Sequence, residues 1–411
     1  MSEWTKLLLS RRASLPIMAA AMAAPWSTPA TAQNNQAAFD RWVEVFQARA
    51  RAHGISDATY SRVMSNNLKP DTAVFELDRQ QPEFSEKLWQ YLNRCVSDWR
   101  ISEGKEKAKE YYALFDRLEK DYGVERGTML GLWGIESAFG DPIVQKNHMR
   151  PVIPALATLA WGEPRRRKYW EQELLNALTI VDRGWATPEQ MRGSWAGAMG
   201  HTHWMPEVWL NTGVDYDRDG RVSPFGKPDD ALAGTAQYLV KRGKWRAGEH
   251  WGYEVRASGG GKDGSRSYEA WQKAGVVRAD GKPFPKPAAT AKLWVPEPGG
   301  PAFLLGPNFY AVRAYNPSMN YALSIVLTGD RIMGGGPLVQ QFPGGEPAPT
   351  LAEVQEIQKR LTALGFDTRG TDGRVGNATM IAVRDFQRRV GMQPADGYAG
   401  VTLLARLRQG L

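Results

Sequence analysis

The chain has almost no cysteine and no long hydrophobic run. Cys95 is the only cysteine among 411 residues, so an intramolecular disulfide bond is excluded, and we expect a buried thiol at this position. The apolar residues 13–25 are too few to cross a bilayer as a permanent anchor. With 42% hydrophobic and 23% charged residues, the composition is that of a globular protein and not of a disordered one.

A motif for binding nucleic acid is also missing. The basic residues are scattered, although the formal net charge is +8. A moderate positive charge suits nucleic acid, acidic lipid headgroups or the cell wall and does not choose between them. The 16 tryptophans are many for this length; we expect most of them in the core and a minority along a groove, where an indole can stack on a sugar face.

The first 32 residues have the pattern of a secretory signal peptide. Arg11 and Arg12 precede the apolar residues 13–25, and Ala30-Thr31-Ala32 is a cleavage site of the small-x-small type. We expect cleavage after about Ala32 and a periplasmic location, reached by the general secretory or the twin-arginine route. No cysteine stands at the cleavage site, so we expect no lipid anchor and no membrane anchor in the mature form.

Helical periodicity dominates the first half of the chain. Residues 36–136 predict mostly helices, and residues 170–182 and 230–242 predict two more. In the last of these we expect Asp230 to be the N-cap and Gly243 to stop the helix. Two apolar stripes support the first range: Phe84, Leu88, Tyr91, Leu92, Cys95 and Trp99, and then Tyr111, Tyr112, Leu114, Phe115 and Leu118.

Changes in composition divide the chain into domains. Residues 256–300 are rich in Gly, Lys and Pro, which predicts loops and a few short strands. Residues 333–350 are rich in Gly and Pro, as is typical of a flexible linker. We therefore predict a signal peptide at 1–32, a main domain at 33–332, this linker, and a separate unit at 351–411.

Glu136 is the candidate catalytic residue. The segment from Thr128 to Gly140 predicts a helix that the glycine ends. Leu132 and Trp133 precede Glu136 by four and three residues and share its face of the helix. A carboxyl on an apolar face is poorly solvated, which favours the uncharged acid that general acid catalysis needs. A structural glutamate with a backbone or arginine partner is the alternative.

The segment Gly131-Leu-Trp-Gly-Ile-Glu-Ser-Ala-Phe-Gly140 resembles the catalytic segment of the membrane-bound lytic transglycosylase B family. Further matches to that family follow in order across residues 38–335, and together they are far more specific than a Glu-Ser pair. They are Gln81-Pro-Glu-Phe84, Trp89-Gln-Tyr-Leu92, Ala155-Leu-Ala-Thr-Leu-Ala160, Gly193-Ser-Trp-Ala-Gly-Ala-Met-Gly200, Met205-Pro206 and Arg313-Ala-Tyr-Asn316.

The resemblance implies a mainly α fold with a lysozyme-like helical catalytic domain and short β segments. It implies cleavage of peptidoglycan between N-acetylmuramic acid and N-acetylglucosamine, with the muramoyl C6 hydroxyl, and not water, attacking C1 to leave a 1,6-anhydro ring. Glu136 would protonate the leaving oxygen and then accept the proton of that hydroxyl, unlike the usual pair of carboxylates. No cofactor is needed for this chemistry. Peptidoglycan is the expected partner, nucleic acid is not, and other cell-wall enzymes stay open as partners.

The same resemblance assigns positions that contact substrate. Ser194 and Asn316 match family positions near the glutamate and the sugar. Arg165 and Arg166 match an arginine pair that could meet the peptide or muramoyl carboxylates, or they could belong to a solvated surface run. The expected substrate contacts are Ser137, Arg165, Arg166, Ser194, His203, Trp204, Tyr238, Tyr315 and Asn316, of which Tyr238 and Tyr315 could equally be core residues.

The chain departs from the family before Met205-Pro206. The family usually has Gln-x-Gln-Phe there, whereas this chain has His201-Thr202-His203-Trp204. His203 therefore stands where an amide is expected beside the glutamate. An imidazole can still donate one hydrogen bond, but it titrates near neutral pH. A metal site at His-x-His is an alternative, although a third ligand is lacking nearby.

An acidic loop matches the opening of an EF-hand calcium site. Asp215, Asp217 and Asp219 supply oxygens at positions 1, 3 and 5, Gly220 makes the turn, and the carbonyl of Arg221 follows at position 7. Position 12 is Gly226 and not glutamate, so Asp229 or Asp230 would have to close the site. Hard oxygen ligands favour a structural Ca²⁺ over zinc; an Asp-rich turn without metal is the alternative.

The last residues resemble the small three-helix peptidoglycan-binding domain. We predict helices near 351–364, 377–390 and 401–408, and Asp372-Gly373-x-x-Gly376 recurs as Asp396-Gly397-x-x-Gly400. On a flexible tether such a module raises the effective concentration of an enzyme on its polymer. A helical bundle without a ligand is the alternative for this unit. For the whole chain, a non-catalytic wall-binding scaffold and a true muramidase that uses water remain alternatives.

Overall fold

The computed structural model describes residues 32–64, 68–78, 86–141, 149–257 and 264–410. The expected signal peptide and the segment Gln81-Pro-Glu-Phe84 lie outside the described residues. Within the described ranges, no helix combines the length and the apolar character that crossing a membrane requires. The fold is mainly α, as the sequence predicts.

The main domain is built from helices of very different lengths. In chain order they are Ala32–Ala52, Asp57–Val63, Val74–Leu77, Leu88–Cys95, Asp98–Glu110, Tyr112–Tyr122, Arg126–Ser137, Val152–Gly162, Arg167–Asp182, Pro206–Thr212, Asp229–Lys241, Tyr268–Lys273, Pro307–Arg313 and Met319–Ile332, with a 3-10 turn at Pro164–Arg166. Their apolar faces meet in two large cores, one around Val152–Gly162 and Arg167–Asp182, and one around Arg126–Ser137 and Met319–Ile332.

The segment predicted as loops and short strands contains an antiparallel sheet. Its strands are β3 (Gly252–Arg256), β4 (Arg266–Ser267), β5 (Val277–Arg278), β6 (Thr290–Trp294) and β7 (Ala302–Leu305), and β1 (Arg150–Pro151) pairs separately with β2 (Arg192–Gly193). The sheet order is β4-β6-β7-β3-β5, with Tyr253 opposite Leu304 and Leu293 opposite Leu304 on its other side. Its inner face forms a small core of its own with Tyr268 and Trp271.

The helix that carries Glu136, Arg126–Ser137, packs antiparallel to Met319–Ile332. Glycines make this approach close: a Cβ atom at Gly131 would collide with the carbonyl oxygen of Ile325, and one at Gly329 with that of Gly127. The two backbones therefore touch without intervening side chains. This contact brings the start of Met319–Ile332 next to the end of the Glu136 helix.

Three local predictions were wrong. The helix Asp229–Lys241 is preceded by Pro228, and Asp230 lies inside its first turn, because its carboxylate serves the acidic loop described below. The stripe around Cys95 is divided between two helices, since Ser97 caps a new helix at Asp98. Tyr112 is 60% exposed, although Cys95 is buried as expected.

The C-terminal unit has three helices, Leu351–Ala363, Asn377–Arg389 and Val401–Arg408, close to the predicted bounds. Thr350 and Glu353 form a capping box at the first of them. The repeated turns are built alike, because the buried amide side chains of Gln358 and Gln387 accept hydrogen bonds from the backbone N–H groups of Gly373 and Gly397, both at 2.8 Å. The same contact between a buried glutamine and a glycine turn thus occurs in both copies of the Asp-Gly repeat.

The C-terminal unit is docked on the main domain. Arg374 lies 2.6 Å from Asp141 and stacks 4.1 Å from the ring centre of Trp99. At a second place, Asn93 donates to the hydroxyl of Tyr398 at 2.8 Å. The residues before the unit are also anchored, because Phe342 is buried and the N–H of Gln340 donates to Glu254 at 2.8 Å. Residues 333–350 therefore contact the main domain in this structure, and their role as a flexible linker stays a prediction.

Candidate active site

Glu136 is the penultimate residue of its helix. The helix stops because Ala138, Phe139 and Gly140 all adopt the left-handed conformation, with φ of 52°, 61° and 75°. Ser137 fixes this end, since its hydroxyl donates to the carbonyl oxygen of His201 at 2.5 Å and accepts from the N–H of Gly140 at 2.9 Å. The Glu136 side chain is only 13% exposed, so most of its carboxyl is shielded from water.

Both carboxyl oxygens of Glu136 have a partner. The hydroxyl of Tyr321 donates to Oε1, and Nδ1 of His203 lies 2.8 Å from Oε2. Burial, followed by the nearby charge of Glu136, raises the pKa of Tyr321 well above its ordinary value, so the phenol keeps its proton and stays a donor. His203 can donate to the carboxylate and accept from the protonated acid. Neither partner is a second carboxylate.

A short loop presents His203 to Glu136. Met199 and Trp204 exchange two backbone hydrogen bonds, of 2.9 and 2.8 Å, and close the turn between them. The hydroxyl of Tyr315 holds this turn by donating to the carbonyl oxygen of Thr202 at 2.6 Å. His203 itself has φ of 51°, a strained conformation for a residue with a side chain. Its Nε2 atom is buried and has no partner within the described part of the chain.

His201 does not share a ligand site with His203. Its Nδ1 accepts from the indole N–H of Trp133 at 3.1 Å, and its Nε2 donates to the carbonyl oxygen of Gly226 at 2.8 Å. Burial lowers the pKa of His201, which agrees with a neutral ring. With both ring nitrogens occupied, the His-x-His metal alternative is wrong, and His201 instead connects the Glu136 helix to the acidic loop.

Two predicted substrate contacts are core residues. Trp204 is fully buried, and its indole N–H donates to the hydroxyl of Thr235 at 3.1 Å. Ser137 is 1% exposed and its hydroxyl is occupied as described above. These side chains have no surface to offer a substrate. Both residues lie near Glu136, as predicted. Ser137, at the end of the helix, and Trp204, at the end of the His203 loop, nevertheless point into the core.

The other predicted contacts near the loop have structural partners. Tyr238 donates to the carbonyl oxygen of Ala314 at 3.0 Å, and its ring meets that of Tyr315 edge to face at 5.0 Å. Asn316 accepts from the N–H of Ser318 at 3.1 Å and so orders the turn before the Tyr321 helix. Ser194, at the turn after β2, accepts from the N–H of Ala198 at 3.2 Å. Substrate contact by these side chains stays a prediction.

Arg165 and Arg166 lie at the surface and differ in their partners. Arg165 forms ion pairs with Glu163 at 2.8 Å and with Asp78 at 3.1 Å. The guanidinium of Arg166 stacks over the rings of Tyr169 and Trp170, at 4.6 and 4.5 Å from their centres. Arg165 is therefore already neutralised by carboxylates. Arg166 has no ion pair among the described residues and is the better placed of the two to meet an anionic group.

The acidic loop converges on three carboxylates. Asp215, Asp217 and Asp230 each offer an oxygen atom within 4.8 Å of the others. The two oxygens of Asp230 accept from the N–H groups of Tyr216, at 2.7 Å, and Ser223, at 3.0 Å, which folds the loop around it. Burial raises the pKa of Asp230. Three hard oxygen ligands at this spacing fit a calcium ion.

Two predicted carboxylate ligands, Asp219 and Asp229, lie outside this cluster, and ligation by the carbonyl oxygen of Arg221 stays a prediction. Asp219 accepts from the N–H of Arg221 at 2.9 Å and supports the turn at Gly220, whose φ is 88°. Asp229 faces Arg117 at 3.5 Å. Of the two residues that could close the site, Asp230 is thus the one that the geometry favours, because Asp229 is turned toward Arg117 and away from the cluster.

Tyr321 is the contact that sequence reasoning missed. It begins the apolar face of Met319–Ile332, where a tyrosine looks like an ordinary core residue. The available signal was the spacing of Gly127 and Gly131 on one face of the Glu136 helix. Such a pattern predicts close packing of a second helix, although it does not identify which one.

The comparisons with known proteins cover both parts of the chain. Residues 38–330 match the family described as transglycosylase SLT domain, and residues 350–407 match a peptidoglycan binding domain. The chain is 27% identical to membrane-bound lytic murein transglycosylase B of Escherichia coli over 68% of this chain and 79% of that protein. It is 37% identical to SltB3 from Pseudomonas aeruginosa, solved in complex with NAG-anhNAM-pentapeptide, with a TM-score of 0.69 over 90% of this chain and 99% of the other. Escherichia coli Slt35, solved in complex with calcium, is 23% identical with a TM-score of 0.58 over 72% and 92% of the two chains.

Proposed function

This chain belongs to the transglycosylase SLT domain family, and we propose that Glu136 alone carries the proton transfers of its reaction. The chain is a lytic transglycosylase, and peptidoglycan is its partner. In the proposed reaction Glu136 protonates the glycosidic oxygen between N-acetylmuramic acid and N-acetylglucosamine. The resulting carboxylate then accepts the proton of the muramoyl C6 hydroxyl, which attacks C1 and closes the 1,6-anhydro ring. No cofactor is needed for this chemistry.

The pairing of Glu136 with Tyr321 and His203 carries the proposal. A carboxyl that is 13% exposed is shielded enough to hold a proton, and Tyr321 can stabilise the carboxylate once that proton has left. Neither partner can act as a carboxylate nucleophile, as the single-glutamate scheme requires. The complexes of SltB3 with NAG-anhNAM-pentapeptide and NAG-NAM-pentapeptide support the proposed bond and product.

The decisive experiment is mass analysis of sacculi digested by the purified protein and by Glu136→Gln. We expect anhydro-muropeptides from the wild type and a loss of turnover to below about 1% in the variant, because an amide cannot donate and then accept the proton. Glu269→Gln, on an exposed helix of the sheet region, is the matched control. Reducing ends would identify a muramidase, and no products would leave the wall-binding scaffold. Residual turnover in Glu136→Gln of more than a few per cent would assign the proton transfers elsewhere.

We further propose that Asp215, Asp217 and Asp230 hold a structural calcium ion. Calcium bound only to the folded chain stabilises it by mass action, by about 2.7 kcal/mol at 100 times the dissociation constant. The melting temperature should therefore rise in calcium relative to chelator, and Asp230→Asn should remove most of that rise. Asp229→Asn is the matched control and should keep it. Equal melting of the wild type in calcium and in chelator would reduce the loop to an Asp-rich turn.

We also propose that residues 1–32 direct export to the periplasm, where the polymer is found. The N-terminus of the mature protein tests this. Mass analysis of the protein from the periplasm should show a chain that begins directly after about Ala32. A mature protein that still begins at Met1 would contradict it.

A further inference from the structure

A cavity lies at the far end of the Glu136 helix. It has a volume of about 230 Å³ and is bounded by the sheet, by the loop before β3, by the helix Tyr268–Lys273 and by Glu125, the residue before the Glu136 helix. Glu136 follows Glu125 by eleven positions along the helix, a rise of about 16 Å. The cavity is therefore outside the reach of the Glu136 carboxyl, and the proposed reaction does not use it.

Two polar atoms at this cavity are buried without a partner in the described ranges. They are the hydroxyl of Tyr268 and Oε2 of Glu249. Tyr268 is only 4% exposed, and its ring is fixed by stacking on Phe284 at 4.7 Å. A buried polar atom without a hydrogen bond costs free energy, so a native protein seldom keeps one without a reason. In native proteins an ordered water molecule or a ligand completes such hydrogen bonds, and both residues line this cavity.

The walls of the cavity are fixed in advance. Asn308 is fully buried, accepts from the N–H of Arg246 at 2.7 Å and donates to its carbonyl oxygen at 2.8 Å, which holds the loop that carries Glu249. His250 lies 3.3 Å from Glu125 and 3.5 Å from Asp330. Burial opposes the charge of His250, but these two carboxylates outweigh it and raise the pKa of His250 to about 9.

The lining charges select a neutral ligand. Glu249 pairs with Arg246 at 3.7 Å and Glu125 with His250 at 3.3 Å, while the ammonium group of Lys286, which carries three donors, contacts the carbonyl oxygen of Gly248. The cavity lining thus contains two carboxylates, one imidazole and one ammonium group. A ring bearing hydroxyl groups offers both the donors that Glu249 can accept from and the acceptors that Lys286 can donate to. The volume is below the 300–1,000 Å³ usual for drug-sized ligands, which limits the ligand to about one ring.

We propose that this cavity binds a single pyranose unit, held by Glu249, Tyr268 and Lys286 at a place remote from the cleavage site. The inference rests on the proposed function for the identity of the sugar, which would be an N-acetylhexosamine of the glycan strand. Hydrogen bonds from the sugar hydroxyl groups to the Glu249 carboxylate would orient the ring, and the hydroxyl of Tyr268 would form a further hydrogen bond to it. The chain would then hold uncut strand at one end of the Glu136 helix while it cuts at the other.

The test is a titration of the full chain with N-acetylglucosamine, followed by NMR of the indole N–H groups. Trp251 reports on the cavity, because its indole N–H donates to Asp330 at 3.0 Å and its ring lies 5.6 Å from that of His250. Trp133, bonded to His201, reports on the region of Glu136. We expect the Trp251 signal to shift on titration, with binding weakened about tenfold in Tyr268→Phe and in Glu249→Gln. Glu269→Gln is the control and should titrate like the wild type.

Each outcome has a distinct meaning. A Trp251 signal that does not move, or identical titrations of the wild type and both variants, would overturn the proposal. A shift produced by lysine or a short peptide, and not by the sugar, would overturn the ligand class. Both variants should melt like the wild type. Because Tyr268→Phe and Glu249→Gln change different side chains, a folding defect in one of them leaves the other as a test. Sacculus digestion is measured in parallel: a wild type that forms no anhydro product rejects the proposed reaction, whereas normal digestion with a silent cavity rejects this inference alone.

Discussion

The two partners of Glu136 differ in what pH does to them. Tyr321 keeps its proton across the physiological range because burial and the adjacent carboxylate raise its pKa. His203 is an imidazole, the side chain that ordinarily changes charge between pH 5 and 8. Tyr315 is a further phenol near Glu136, and burial, followed by the charge of Glu136, raises its pKa as well. Of the two described side chains that contact the Glu136 carboxyl, only the imidazole of His203 is able to carry a positive charge.

His203→Gln should extend activity toward lower pH. A protonated His203 places a positive charge 2.8 Å from Glu136 and favours the carboxylate, so the enzyme loses its acid as the pH falls. Glutamine, the residue usual in the family, keeps a hydrogen-bond donor and adds no charge. Comparing pH–rate profiles on purified sacculi checks this, with His53→Gln, an exposed histidine, as the control. If the acidic limbs of wild type and His203→Gln superimpose, His203 stays neutral throughout and the argument fails.

At this scale the sequence predicted one partner of Glu136 and missed the other. His203 was expected beside the glutamate from a family position, and it lies there. Tyr321 is 185 residues from Glu136 in sequence, and nothing in the intervening residues marks that distance as short. Trp204 and Ser137 were assigned to substrate on position alone, because a sequence does not show which way a side chain turns at a helix end.

Among the secondary-structure elements, the contact between Arg126–Ser137 and Met319–Ile332 determines the site. Gly127, Gly131 and Gly329 remove the side chains that would separate the two backbones. The register of this contact, and not a local motif, sets the distance between Tyr321 and Glu136. Small residues far from the chemistry therefore control the position of a group that takes part in it.

Gly131→Ala should weaken both stability and activity. The added methyl group would collide with the carbonyl oxygen of Ile325, and overpacking of this kind costs about 1–3 kcal/mol. The two helices must move apart, which withdraws Tyr321 from Glu136. Thermal unfolding and sacculus digestion measure the two effects. Gly336→Ala is the control, because open space surrounds that glycine among the described residues. A Gly131→Ala protein with wild-type melting and turnover would show that the helix contact is not a determinant of the site.

Helices were predicted better than strands for a physical reason. The periodicity of a helix such as Arg167–Asp182 is visible in its own sequence. In contrast, β3 pairs with β7, more than forty residues away, and β5 has only two residues. Short strands of this kind form because distant partners complete their hydrogen bonds. The start of Asp229–Lys241 shows a related limit of sequence-based prediction. Asp230 has the side chain of a helix N-cap, but its carboxylate accepts hydrogen bonds from the acidic loop.

The whole molecule is less divided than its composition predicts. Gly- and Pro-rich residues 333–350 looked like a free tether, but Phe342 is buried and the N–H groups of Val339 and Gln340 both bond to Glu254. Composition shows that a segment lacks periodicity and does not show whether it finds partners on a neighbouring surface. Glu346 then reaches forward and accepts from the N–H of Thr402 at 2.8 Å, which fixes the C-terminal unit.

Removal of residues 350–411 should weaken sedimentation with sacculi and spare cleavage of short soluble glycan fragments. Glu136, His203 and Tyr321 all lie in the part that remains, and ending the chain at residue 349 keeps Phe342 in its core. A full-length Arg374→Met protein is the control, because it loses the pair with Asp141 and keeps the binding unit. It should sediment like the wild type. Unchanged sedimentation of the shortened chain would assign wall binding to the main domain alone.

Docking at two separate places, Arg374 on Asp141 and Tyr398 on Asn93, also fixes the orientation of the C-terminal unit on the main domain in this structure. Two polymer-binding surfaces that cannot move apart engage together only where the polymer offers both sites at their own separation, and elsewhere one of them stays idle. The docked chain would therefore recognise a single spacing of binding sites along the polymer. We expect strands with sites at the matching interval to retain the enzyme longer than strands with sites at any other interval.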